Sequence, residues 1–314
     1  MVIGPTGIGK TELAVRLAER LGGEIVVADS RQVYRDLHIA TNHPSPDQRA
    51  RARFHLIEVA DPSQSYTVHE FVLAARVVVA DILGRGRLPI VEGGTGLYVD
   101  ALMDGYDFAG VEPDAGRRVA LEALPREELV AILQDMDPNT NVDLNNPRRL
   151  IRAIELRESA GASRFAESGA TMGEGVANGL AGRVPVPWEG VRIGLTAPRP
   201  VIWARLQDRV KAQIEAGVVE ETAAALAAGI PVSAPVLTGI GYRDSLRLLS
   251  GTITAADLPE AMLVSNRQYA RRQLTWWRRD HRVHWFPAEP DPLPGILEYF
   301  AELDLGGILK EKQS

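Results

Sequence analysis

Cysteine is missing from this 314-residue chain. Its absence excludes disulfides, thiolate-ligated zinc and thiol nucleophiles, and it suits a reducing, cytoplasmic setting. Long apolar runs are missing too. No stretch approaches the ~20 residues of a membrane-spanning helix, and no signal-like segment precedes the first motif, so no membrane partner is expected. Positive charge is in deficit: 35 Lys and Arg stand against 41 Asp and Glu, a formal net charge of −6. As an average, that disfavours a nucleic-acid partner. Neither an Asn-Lys-x-Asp guanine-reading sequence nor an acidic helicase box occurs. What is present is ordinary for a globular enzyme, 45% hydrophobic and 24% charged. The length suits one large α/β domain with an insertion, or two domains, and a monomer is the default expectation.

The clearest positive signal lies at the start. Gly4-Pro5-Thr6-Gly7-Ile8-Gly9-Lys10-Thr11 fits G-x-x-x-x-G-K-[ST], the phosphate-binding P-loop. In that loop, backbone N–H groups and a helix N-terminus surround a polyphosphate. Lys10 is expected to reach the terminal phosphate oxygens and the Thr11 hydroxyl to ligate Mg²⁺. Apolar Val2-Ile3 precedes the loop. Leu13, Leu17 and Leu21, with Ala14 and Ala18, predict the buried face of a helix from near Gly9, ended by Gly22-Gly23. Only three residues precede Gly4, so a shortened N-terminus is expected.

Strands and helices then alternate. Glu24–Ala28 reads as a buried strand running into Asp29-Ser30-Arg31-Gln32-Val33-Tyr34. From position alone, Asp29 reads equally as a helix N-cap and as a ligand-facing carboxylate at a strand's carboxyl end. Residues 41–53 read as a loop and a short helix, and Phe54–Val59 as a strand. Thr67-Val68-His69-Glu70 is a capping box for a helix to about Leu83. Leu88–Glu92 is the next strand, followed by the Gly-rich turn Gly93-Gly94-Thr95-Gly96-Leu97-Tyr98. Motor and switch ATPases carry an Asp where this strand ends in Glu92, and the turn supplies a hydroxyl at Thr95. The pattern predicts an α/β fold, a P-loop doubly wound and mostly parallel sheet.

Residues 104–187 break the alternation and read as a helical insertion in a core of residues 1–103 and 188–314. Arg126–Met136 and Pro147–Ser159 are its helices. The Gly/Ala-rich stretch Ser163–Gly182 reads as a flexible loop or disordered segment. Beyond it come a strand at Val191–Leu195 and helices at Pro200–Glu215 and Val218–Ala228. A Gly-rich turn, Thr238-Gly239-Ile240-Gly241-Tyr242-Arg243, opens another helix. A long Arg-rich helix, Leu258–Arg279, a last strand at Val283–Phe286 and a frayed tail past Leu305 complete the chain.

Two arginine clusters modify the charge argument. One is Arg148, Arg149, Arg152 and Arg157, which reads as a solvated helix face or as a phosphate-binding one. The other is Arg267-Gln268-Tyr269-Ala270-Arg271-Arg272-Gln273-Leu274-Thr275-Trp276-Trp277-Arg278-Arg279, where cations interleave with rings able to stack on bases. Trp276 also reads as a core residue. The layout of P-loop, compact core, helical insertion and Asp after the second strand also suits a small-molecule or nucleoside kinase, in which Asp29 would act on an acceptor.

Taken together, Gly4-Pro5-Thr6…Gly9-Lys10-Thr11, Asp29-Ser30-x-Gln32-Val33-Tyr34, Asp61-Pro62-Ser63, Gly93–Tyr98, Asn146-Pro147-Arg148-Arg149-Leu150, Gly241-Tyr242-Arg243 and Arg267–Trp276 resemble the tRNA dimethylallyltransferases (tRNA isopentenyltransferases). The motifs occur in order from residue 4 to about residue 286. The resemblance implies transfer of a dimethylallyl group from dimethylallyl diphosphate to N6 of the adenosine 3′ of the tRNA anticodon. It implies that Gly4 to Thr11 hold the donor's diphosphate with Mg²⁺, that Asp29 accepts the amine proton, that Thr95 orients the amine, and that Arg205 or Arg209 adds a cation. It implies tRNA contacts from Asp29, Ser30, Arg31, Gln32 and Thr95, from Arg148, Arg149, Leu150, Ile151 and Arg152, from Thr238 to Arg243, and from Arg271, Arg272, Gln273, Leu274, Thr275, Trp276, Trp277 and Arg278. The insertion would clamp the anticodon arm. Local arginine patches would let an acidic protein bind RNA. One departure stands out. The family usually has Thr-Ala-Ser-Gly where this loop reads Thr6-Gly7-Ile8-Gly9, so the hydroxyl expected at position 8 is lost.

Overall fold

A computed structural model describes residues 1–107, 114–160 and 182–303. The Gly/Ala-rich stretch, but for Gly182, and the tail past Leu305 lie outside these residues. The chain begins β1 (Val2–Ile3), α1 (Lys10–Leu21), β2 (Gly23–Val27), α2 (Pro46–Arg51), β3 (Phe54–His55), α3 (Val68–Gly84), β4 (Leu88–Glu92) and α4 (Gly96–Met103). It continues through β5 (Tyr106–Asp107), α5 (Ala115–Glu122), α6 (Arg126–Met136), α7 (Pro147–Ala160) and β6 (Gly182–Arg183). The remainder is β7 (Arg192–Thr196), α8 (Arg199–Glu215), α9 (Val218–Ala227), α10 (Tyr242–Leu249), α11 (Leu258–Trp277), β8 (Val283–Pro287) and α12 (Leu293–Glu302). Two compact units result: Met1–Val99 with the chain from Glu189 onward, and Asp100–Trp188.

The first unit is built on a six-stranded sheet in the order β3-β2-β4-β1-β7-β8. Every pairing in it is parallel. This is the α/β class expected from the alternation of strands and helices. β1 lies inside the sheet, between β4 and β7, so the loop that follows it leaves from the interior of the strand row. Val2, Ile25, Val27, Ile90, Ile193 and Leu195 meet Leu13, Ala14, Leu17 and Ala18 of α1 in one buried cluster. Strands with both faces covered by helices need such near-continuous apolar sequence. The one charged side chain buried in β2 is Glu24, 1% exposed. Arg85 and His55 satisfy it, with Nη2 and Nε2 at 2.8 and 2.7 Å, and Arg87 adds a third donor at 3.1 Å. The Arg85 hydrogen bonds, chiefly, hold its carboxyl down at about 2.

Two elements differ from expectation. The strand expected over Phe54–Val59 stops at His55, because Leu56 and Glu58 take left-handed backbone angles (φ 59° and 56°) that end an extended ladder. The turn at Gly93–Tyr98 is shorter than its sequence suggests, since α4 starts at Gly96. Gly93 has a steric cause: a Cβ there would lie 2.1 Å from the Ala28 carbonyl oxygen.

The second unit packs α5, α6 and α7 around Leu121, Leu129, Leu133, Val142, Leu150, Ile151 and Ile154. α6 matches its expected limits, and α7 ends one residue later than expected. The sequence pattern showed no strand here, but β5 and β6 pair antiparallel, Tyr106 with Arg183.

Candidate active site

The carboxyl ends of β1, β2 and β4 open onto a cavity of about 680 Å³. Open α/β sheets hold ligands at such an edge. Its floor is the loop before α1. Gly9 caps that helix in the left-handed region (φ 99°), with no side chain on the first-turn N–H groups, which stay available to an anion. Lys10 Nζ donates to the Pro5 carbonyl at 3.2 Å. Thr11 Oγ1 donates to Glu92 Oε1 at 3.2 Å. Arg209 Nη1 donates to Thr6 Oγ1 at 2.6 Å. Burial disfavours charge throughout this cluster. It pulls Lys10 down against the raising effect of Glu92 and Asp29, pushes Glu92 up against Lys10, and pulls Arg209 down. An anion arriving among Lys10, Arg209 and the helix N-terminus relieves that cost for the cations.

The two arginines on α8 have separate places. Arg209 lines the cavity. Arg205 grips the loop from behind, with Nη1 2.9 Å from the Ile8 carbonyl oxygen and Nη2 on Glu289. Ile8 points away from the ligand space: its side chain is 2% exposed and belongs to the core. An apolar side chain at that position therefore fills core volume, and only its backbone borders the loop.

Asp29 is not a helix N-cap. No helix follows, and its Oδ1 accepts Arg31 N–H at 2.9 Å in an Asx turn. Its Oδ2 faces the Gly94 turn, 3.3 Å from where a Gly94 Cβ would stand. Thr95 Oγ1 accepts Ser30 N–H at 2.9 Å and donates to Ser30 Oγ at 3.2 Å. Thr95 thereby fixes the turn that carries Asp29. Both line the cavity, as do Ser30, Arg31 and Gln32.

The Arg-rich α11 forms one wall. Gln273 is 4% exposed and joins two loops: its Oε1 accepts Thr6 N–H at 2.7 Å and its Nε2 donates to Gly94 O at 2.9 Å. Tyr269 O–H donates to the same carbonyl at 3.0 Å. Trp276 and Trp277 both border the cavity, the first half-buried and the second 1% exposed. Arg271, Arg272, Thr275 and Arg278 are exposed, with Leu274 half-buried. Across the cavity, Arg31 reaches Pro235 O and Thr238 Oγ1, tying the Asp29 turn to Thr238, Gly239 and Ile240.

Several of the residues expected to contact tRNA have buried side chains. Tyr242 is 1% exposed and donates its hydroxyl to Glu221 at 2.6 Å. Leu150 and Ile151 fill the core of the helical unit. Gln273 and Trp277 are buried along the cavity wall, and Gln273 bridges two loops there. Arg243 remains exposed, with Nη2 on Ser265 Oγ at 3.0 Å. Of the first cluster, Arg148 is exposed and Arg149 half-buried, whereas Arg152 pairs with Glu155 at 3.2 Å.

The chain that builds this cavity resembles known proteins over nearly its whole length. The family model "IPP transferase" matches residues 32–280, and "Isopentenyl transferase" matches residues 1–60. The chain belongs to the IPP transferase family. It is 38% identical to a tRNA dimethylallyltransferase of Thermomicrobium roseum, over 96% of this chain and 88% of that one. Among solved structures, it resembles the full-length tRNA isopentenylpyrophosphate transferase of Bacillus halodurans, with 33% identity and a TM-score of 0.70, covering 99% and 96% of the two chains. A eukaryotic dimethylallyltransferase, described as acting on tRNA, shares the fold at TM-score 0.78 and 24% identity, over 98% of this chain and 79% of its own.

Glu92 and Tyr269 of this cavity went unassigned in the sequence. Glu92 was visible as an acid at a strand end, but its contact with Thr11 depends on β4 lying beside β1. Tyr269 was visible only as one aromatic among arginines. Neither local pattern carries the contact that places it.

Proposed function

We propose that this chain transfers the dimethylallyl group of dimethylallyl diphosphate to N6 of the adenosine directly 3′ of the tRNA anticodon, releasing diphosphate. One observation carries the reading: Lys10 and Arg209 at the phosphate loop share a single cavity with Asp29, next to exposed arginines and Trp276 on α11. A diphosphate in the loop places the donor's alkyl end toward the carboxylate turn. As the C1–O bond breaks, negative charge grows on the diphosphate, where Lys10, Arg209 and the N–H groups before α1 stabilise it. The N6 lone pair forms the new C–N bond, and Asp29 takes the proton that N6 must lose. Thr95 holds the Asp29–Ser30 turn in register through Ser30. The target base enters unstacked from its neighbours. Arg271, Arg272, Arg278, Arg148 and Arg149 supply phosphate contacts to the anticodon arm.

Thr11 presents its hydroxyl to the cavity beside Lys10, a hard oxygen that suits Mg²⁺. When bound, Mg²⁺ adds Lewis-acid stabilisation of the leaving diphosphate. The protein would work as a cytoplasmic monomer.

Purified protein is incubated with labelled dimethylallyl diphosphate and unmodified tRNA. Label is expected on tRNA, with ATP unable to substitute as donor. Consumption of ATP with a small acceptor, and no label on tRNA, would establish the kinase reading instead. Asp29→Ala separates catalysis from simple RNA binding: transfer is expected to fall ~10²–10⁴-fold with little change in tRNA affinity.

A further inference from the structure

The mechanism above makes no use of Glu92, and a buried carboxyl beside the phosphate loop is the least expected feature of the site. Glu92 ends β4, is 3% exposed, and lines the same cavity as Lys10 and Arg209. A carboxylate held at a diphosphate site repels the ligand, and in a dry pocket that repulsion is costly unless a cation lies between them. Lys10 and Arg209 act on that carboxyl through space, but both make their hydrogen bonds elsewhere. Lys10 is turned to Pro5 O and Arg209 to Thr6 Oγ1. Among the described residues, Thr11 is the hydrogen-bond partner of the Glu92 carboxylate. A single hydroxyl leaves most of a carboxylate's acceptor capacity unused.

We propose that Glu92 joins Thr11 in holding the divalent cation that bridges this protein to the donor's diphosphate. The inference rests on the metal-assisted reading above and assigns a second protein oxygen to it. Two hard oxygens from adjacent elements, the start of α1 and the end of β4, suit a small divalent cation that keeps several waters and completes its shell with phosphate oxygens. The Thr11–Glu92 hydrogen bond holds the two donors together before the cation arrives. The buried carboxyl then makes diphosphate and metal binding interdependent: each lowers the electrostatic cost that the other meets.

The test uses Mn²⁺ as a paramagnetic probe and inorganic diphosphate as the ligand, read by electron paramagnetic resonance on the full chain. Wild type is expected to bind Mn²⁺ weakly alone and much more tightly with diphosphate. Glu92→Gln keeps the shape and an acceptor for Thr11 but removes the charge. It is expected to weaken Mn²⁺ binding with diphosphate by about tenfold or more. In EDTA, the same variant is expected to bind diphosphate as tightly as wild type or more so. Glu92→Asp, which keeps the charge but shortens its reach, is expected to fall between the two. Mn²⁺ affinity equal to wild type in either soluble variant would overturn the role of Glu92. Absence of diphosphate-dependent Mn²⁺ binding in wild type would instead overturn the metal reading itself.

Discussion

The two arginine-rich helices look alike in sequence and differ in what their charges already hold. On α7 and its neighbours, most guanidinium groups face acids: Arg118 and Arg152 converge on Glu155, Arg117 on Glu158, and Arg157 on Asp137. On α11 and at its C-cap, Arg271, Arg272 and Arg278 have no carboxylate partner among the described residues. Arg271 instead lies over the Trp203 ring at 5.6 Å and Arg272 over Tyr269 at 5.7 Å. Arginines paired with acids hold helices together. Arginines stacked on rings keep their donors for another partner, and phosphate is the partner whose geometry they match. A net charge of −6 therefore says little about RNA binding, because the acids are not distributed where these cations are.

The comparison can be broken experimentally. The largest effect on RNA is expected from the double substitution Arg271→Ala/Arg272→Ala. Its tRNA affinity should fall ~10-fold or more at moderate salt, and the salt slope by about 2, one per lost phosphate contact. Binding assays across a salt series read both. Unchanged affinity would make the unpaired arginines ordinary surface. Arg157→Ala should do the opposite. Arg157 and Asp137 are 11% and 12% exposed, so losing one partner strands the other. The helical unit should lose about 1–3 kcal/mol of stability, seen by thermal or denaturant unfolding, with the salt slope unchanged. Arg148→Ala comes next: this exposed side chain should lower the salt slope by about 1 without altering the melt. The smallest effect concerns Glu24, whose carboxyl sits at about 2 in the fold. A carboxyl lowered on folding stabilises above its unfolded value, and that contribution disappears as pH falls from about 4.5 toward 2. Glu24→Gln should flatten stability against pH in that window, measured by unfolding at each pH.

The same contrast marks how much the sequence could tell. The phosphate loop, the parallel sheet and the helices with clear 3.6 periodicity were legible, because each rests on spacing within one segment. β3 was overextended, since the alternating pattern of Phe54–Val59 does not reveal that Leu56 turns left-handed. α12 went unread, although Pro294 stands in its first turn and Asp291 Oδ1 accepts Leu293 N–H at 3.1 Å. The site was legible wherever a strand end alone positions a residue, as at Asp29 and Thr95. It was not legible where two distant segments meet. The choice of Arg209 over Arg205 at the cavity, the loop-bridging role of Gln273 and the contact of Glu92 with Thr11 all depend on how α8, α11 and β4 pack against the P-loop. Trp276 and Trp277 make the point within one helix turn. Adjacent residues are rotated by about 100°, so at the cavity wall one is half-exposed and the other buried.

Mass spectrometry of tRNA nucleosides tests the central claim most directly, in cells that lack this gene and then regain it as wild type or as Asp29→Asn. The account predicts that N6-dimethylallyl-type adenosine disappears with the gene, returns with wild type, and stays absent with Asp29→Asn. A nucleoside profile that does not change between these cells would contradict it.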